Sequence, residues 1–126
     1  MIIITKSFRQ QLKKTKIGLD EISQGLDRVF NKNIFRHGDA LLSNSFVPLK
    51  NCFAAKIRVG YKDQARLLAL FLIVNNIKMP FYIAKKNDKK LGANIFLKSQ
   101  MKKIIKNQIE TSLRDFKNGN YEEIKE

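Results

Sequence analysis

The sequence predicts a single α+β domain: an antiparallel sheet, made of a short N-terminal strand and a three-stranded meander, packed on an N-terminal helical hairpin, with a C-terminal helix. Three observations carry this expectation. Helical periodicity fills the stretch after residue 6 and returns near the C-terminus, strand-like runs lie between, and the chain has 126 residues, enough for one modest core and too few for two. One domain over residues 1–126 follows.

The elements are read in chain order. "IIIT" (Ile2–Thr5) is β-branched throughout and reads as a short strand. "SFRQQLKK" follows with Ser7 as the expected N-cap and Phe8 and Leu12 at helical spacing. In "LDEISQGLDRVFNK" the period continues through Leu19, Ile22, Leu26 and Val29/Phe30. A turn near Gly18 makes the two segments a hairpin. Residues 33–50 hold Gly38 and Pro48 without a sustained period and read as a loop. From Phe53 to Val59 the chain alternates: Phe53, Ala55, Ile57 and Val59 face one way, and Ala54, Lys56 and Arg58 the other. Ala65–Val74 is apolar almost throughout, as a central strand covered on both faces should be, with Arg66 emerging. Pro80 is expected at the start of the last strand, "FYIAKK". Short turns make the three strands an antiparallel meander. A C-terminal helix is expected over about residues 90–118, with Ile104, Ile105, Ile109, Leu113 and Phe116 on one stripe, and residues 119–126 as a frayed tail.

Composition narrows function. Lys and Arg number 25 against 11 Asp and Glu, a formal net charge of +14 with a pI near 10.1. Such a surplus calls for a polyanionic partner, nucleic acid first, then an acidic protein, then a membrane surface. The longest apolar run, Leu67–Val74, falls short of the ~18 residues that span a bilayer. "MIIITKSFRQ" lacks the core of a signal peptide, and a cytoplasmic protein is the expectation. Cys52 is the single cysteine and His37 the single histidine, so neither an internal disulfide nor a zinc site is expected. No Gly-rich phosphate loop or carboxylate cluster for magnesium stands out, and no cofactor is expected.

A first strand ending in "TKSFRQQLKK", a helical hairpin, a "PLK" step, "KIRVGY", a hydrophobic strand and a "YIAKKNDK" end together resemble the RelE/ParE toxin superfamily. The resemblance covers most of residues 1–95 and rests on order and spacing. For the RelE branch it implies a toxin of a type II toxin–antitoxin system, a metal-free mRNA endonuclease acting in the ribosomal A site and neutralised by an acidic antitoxin. It places the phosphate-handling roles on Lys56 and Arg58 in "AKIRV", on Arg66 in "ARLLALF", and on Lys85 or Lys86 in "YIAKKND". At that last position lysine stands where the family has arginine, and lysine offers no bidentate fork. The alternatives are a ParE-like toxin that binds DNA gyrase without cutting RNA, and a non-catalytic RNA- or ribosome-binding module.

RNA cleavage by 2′-OH attack needs a base, cationic stabilisation of the phosphate oxygens, and an acid for the leaving 5′-oxygen. Lys56 and Arg58, alternate on one strand face, suit a single phosphate; the competing reading is a solvated strand face. A lysine with its pKa lowered by neighbouring cations is one candidate base. Tyr82 and Tyr61 are candidates for stacking a base or orienting a hydroxyl, and Tyr82 shares its strand parity with Lys86. Lys56, Arg58, Arg66, Lys86 and Tyr82 form the candidate catalytic set, and Lys50, Lys62, Lys85 and Lys89 the candidate RNA contacts. His37, in a loop beside Arg36 and Asp39, reads as surface decoration.

Overall fold

The computed structural model describes residues 1–43, 47, 49–85 and 99–126. It is an α+β fold, as expected. Strand β1 (Ile2–Thr5) leads into helix α1 (Lys6–Leu12), then α2 (Leu19–Leu26), which runs on into a widened helical turn over Asp27–Asn31. Strands β2 (Ala40–Leu41), β3 (Cys52–Val59), β4 (Ala65–Leu72) and β5 (Ile77–Lys85) follow, then α3 (Ser99–Lys117) and β6 (Tyr121–Ile124). Among the described residues the sheet order is β2-β3-β4-β5-β1-β6, with β1 parallel to β5 and every other pairing antiparallel.

Period-2 alternation sends each strand's side chains to two separate cores. The helical hairpin covers one face, where Phe8, Leu12, Ile22 and Leu26 meet Ala55, Ile57, Leu67 and Ile83. Helix α3 covers the other, where Met101, Ile105 and Ile109 meet Ile3, Leu68, Leu70 and Phe81. This double cover explains why β1 and β4 read as continuous apolar runs. Gly25 lets α2 close onto β3, since a Cβ there would meet Val59 Cγ1 at 2.7 Å.

Besides β2, a short strand inside the stretch expected to be a loop, local chemistry departs from the sequence reading at four places. The N-cap of α1 is Thr5, whose Oγ1 accepts from Phe8 N–H at 3.2 Å; Ser7 lies inside the helix, and its own N–H is capped from afar by Asp115 Oδ2 at 2.9 Å. Pro80 sits inside β5, at a break in register between Leu68 and Ala69, where a missing N–H is tolerated. The Gln11 side chain serves the displaced backbone there, donating to Phe81 C=O at 3.3 Å and accepting from Ile83 N–H at 3.1 Å. Ile73 and Val74 leave the strand and are exposed in the turn. The tail expected to fray forms β6, because the edge of β1 is four buried residues long and needs a partner. Arg9 on α1 pairs with Glu122 of that strand. The helix described in the C-terminal region begins at Ser99; its expected first turns, from residue 90, lie outside the described residues.

Candidate nucleic-acid interface

Strand register assembles the predicted cations into two rows. Lys56 lies opposite Leu68, and Leu68 opposite Tyr82; Arg58 lies opposite Arg66, and Arg66 opposite Ala84. Side chains paired this way share a face, so Lys56, Arg58, Arg66 and Tyr82 stand together on the α3 side of the sheet. Directly opposed residues have Cβ atoms about 5 Å apart, and like charges so placed repel. Among the described residues neither Arg58 nor Arg66 has a carboxylate within ion-pair distance.

Each cation is held differently. Arg66 was expected to emerge from its strand. It is instead only 4% exposed, because β4 is the strand between β3 and β5, and its guanidinium turns back on the chain. Nη1 donates to Asp63 C=O at 2.9 Å. Burial first, and Arg58 second, lower its affinity for its proton, yet a guanidinium stays charged at any ordinary pH. Arg58 is half-buried with its guanidinium laid over Gly38; a Cβ there would come within 1.9 Å of Arg58 Nε, and φ at Gly38 is +92°. Nε itself is shielded from solvent without a hydrogen-bond partner among the described residues. Lys56 is half-buried, and its amine is pulled below the usual lysine range by burial, then by Arg66 and Arg58.

A buried carboxylate locks the end of β3. The Asp39 side chain is fully buried and pairs with Arg28. It also accepts from Arg58 N–H and Arg36 N–H, both at 2.8 Å. Arg28 Nη2 donates back to Arg58 C=O at 3.0 Å, and Arg36 Nη2 meets Asp63 Oδ1 at 2.9 Å. Asp39, Gly38, Arg28 and Arg36 were not among the predicted site residues. Asp39 and Arg28 are eleven positions apart with no shared period, so only the Gly-Asp turn dipeptide in "RHGDA" hinted at them.

The remaining predicted contacts scatter. Lys85 faces the hairpin side with Ile83 and Ala65, one strand position out of phase with the cation rows. Lys62 lies in the β3–β4 turn with its Nζ 5.4 Å from the Tyr61 ring centre, near the Arg58 end. Lys50 precedes β3 at its opposite end, whose first residue, Cys52, is already about 20 Å from Arg58 at the ~3.3 Å rise of a strand. Lys86 and Lys89 lie outside the described residues. His37 is exposed, and Cys52 donates weakly to Leu49 C=O at 3.6 Å, with burial raising its thiol pKa. Among the described residues no group of three metal-ligating side chains gathers, and no helix is long and apolar enough to cross a membrane. Comparison with protein-family models, curated proteins and solved structures returns no match.

Proposed function

We propose that this protein is a RelE-like toxin that cuts mRNA, working on the ribosome and held in check by an acidic antitoxin. The observation that carries the reading is the Arg58–Arg66 pair with Lys56 beside it. Such a cluster is repulsive, and an anionic ligand such as an RNA phosphate would relieve it. The element order and the alternate cations of β3 also fit the family resemblance.

In this reading Lys56 accepts the 2′-OH proton, its lowered pKa suiting it to the task. The 2′-oxygen bonds to phosphorus while Arg58 and Arg66 stabilise the charge on the non-bridging oxygens. The bond to the 5′-oxygen breaks, and that oxygen takes its proton from water or from Tyr82, which shares the Lys56 row. Primer extension on cellular mRNA after induction tests this: discrete new 5′ ends are expected with the native chain and none with Lys56→Ala. Intact mRNA with arrested growth would overturn it.

One observation favours a second reading, a ParE-like toxin acting on DNA gyrase without cutting RNA. The Arg66 guanidinium already spends Nη1 on backbone carbonyls, leaving fewer donors for phosphate. A supercoiling assay on purified gyrase separates the two.

A further inference from the structure

Between β3 and β4 the chain turns through Gly60–Gln64, and two successive residues there hold an uncommon backbone. Lys62 and Asp63 both have φ +54°. This is the left-handed region, where a Cβ crowds the backbone, and neither residue is glycine. Such strain persists only where the surroundings fix it. Three hydrogen bonds do so, all on Asp63. Its N–H donates to Gly60 C=O at 3.0 Å. Its carboxylate accepts from Arg36 Nη2 at 2.9 Å. Its own C=O accepts from Arg66 Nη1, also at 2.9 Å. The Arg36–Asp63 bridge is too exposed to add much stability, so its effect is on geometry.

The last of these contacts joins the strained turn to the cation rows. Arg66 is buried opposite Arg58, and like charges so placed push apart. Among the described residues Nη1 is the only Arg66 nitrogen with an acceptor, Asp63 C=O first and Ala65 C=O at 3.5 Å second. A guanidinium carries its donors in a planar fork, and the edge formed by Nε and Nη2 matches two oxygens of one phosphate. Holding Nη1 on a carbonyl fixes the plane of that fork. The contact that takes one donor from Arg66 also orients the others.

We propose that Asp63 is a positioning residue for Arg66. Its left-handed backbone aims its carbonyl at Nη1, Arg36 holds it in that pose, and Arg66 then presents its Nε–Nη2 edge to a phosphate. The phosphate half of this inference rests on the RNA reading above; the anchor does not.

The test combines nuclear magnetic resonance of the arginine side chains with fluorescence anisotropy on a short RNA. In the native chain the Arg66 Nη groups should give separate signals, because an anchored guanidinium rotates slowly. Asp63→Val disfavours positive φ and offers Arg36 no acceptor. It should merge those signals and weaken RNA binding about tenfold, the factor for a hydrogen bond to a charged group. Loss of a carboxylate from a cationic surface should by charge alone tighten RNA binding, so the sign of the change is informative. Asp63→Asn tolerates positive φ and keeps an oxygen for Arg36, and should restore the signals and the affinity to within about twofold. In an Arg66→Met background Asp63→Val should shift affinity by less than about twofold, since no guanidinium is left to aim. An equal loss in both backgrounds, or no loss in the native one, overturns the proposal. If Asp63→Val does not fold by circular dichroism, Arg36→Gln decides, and it should weaken binding more with Arg66 present than with methionine there. Separate Arg66 signals in a native chain that binds no RNA would overturn the RNA reading while the anchor stands. RNA binding by a native chain whose Arg66 signals are already merged would do the reverse.

Discussion

At the scale of single residues, Arg66 separates a working cation from a structural one. Its charge is buried opposite Arg58, so the folded state carries repulsion and desolvation that the unfolded chain does not. Arg66→Met keeps the stem's volume and removes both penalties. We expect a more stable protein, by about 1 kcal/mol, or roughly 4 °C in melting temperature for a domain of this size. The same variant should bind RNA more weakly. Thermal melts and anisotropy on one preparation check this, and a variant that loses stability would mean that the guanidinium holds the fold together. Lys56 makes a second prediction at this scale. A base must be unprotonated to act, so cleavage should rise with pH and level off below the ordinary lysine value of 10.5. Since the fold disfavours the ammonium form, the strain it adds is full at low pH and fades as pH rises through the lowered pKa. Lys56→Arg keeps the charge, cannot lose its proton, and should abolish that pH limb in a single-turnover cleavage profile.

Between elements, the Asp39 latch decides where the cations stand. The carboxylate ties the loop before β2 to the backbone of Arg58 and to Arg28 on the widened turn after α2. Asp39→Ala leaves Arg28 and two N–H groups without their acceptor. We expect a loss of about 3 kcal/mol, read as a fall of about 10 °C in melting temperature. Gly38→Ala, at φ +92° and 1.9 Å from Arg58 Nε, should instead displace the guanidinium and cut RNA affinity more than stability. The contrast between these neighbours also marks what the chain order could reveal. Alternation in "AKIRV" and the apolar run after Arg66 made the meander and its faces legible, since period and burial are local properties of a strand. The latch was not legible, because its four members come from three separate segments and meet only through the fold. Pro80 misled for a related reason: its missing N–H suits a strand's first residue, but a bulge and the Gln11 side chain from α1 accommodate it inside β5. Likewise β6 looked like a frayed end because strand pairing with β1 is not written in "YEEI" itself.

For the whole molecule, the +14 charge sets how binding responds to salt. With the three row cations and Lys62 as roughly four phosphate contacts, each contributing about −0.7 to −0.9, log affinity against log salt should slope near −3. A slope near zero in the same anisotropy assay would remove the electrostatic footprint. The charge also bears on how the sheet is closed. Lys78, 1% exposed near the start of β5, would be a buried unpaired ammonium without Glu126, which reaches it from the end of β6. Burial of Glu126 works against its ionisation, but hydrogen bonds from Lys78, the Met1 amine and Asn31 outweigh it and bring its pKa down to about 2. The folded state therefore holds this carboxylate charged where the unfolded chain, with its value of 4.5, already binds a proton. The stability it contributes is complete above about pH 5 and is lost as pH falls toward 2. Glu126→Gln should accordingly lower the melting temperature at pH 7, by an amount equivalent to about 1–3 kcal/mol for a buried charge losing its partner. Near pH 2 the variant and the native chain should melt together. Adding Lys78→Met to Glu126→Gln removes the stranded charge and should recover most of the loss. Equal melting of Glu126→Gln and native chain at pH 7 would mean that the β1–β6 edge is held by its backbone ladder alone.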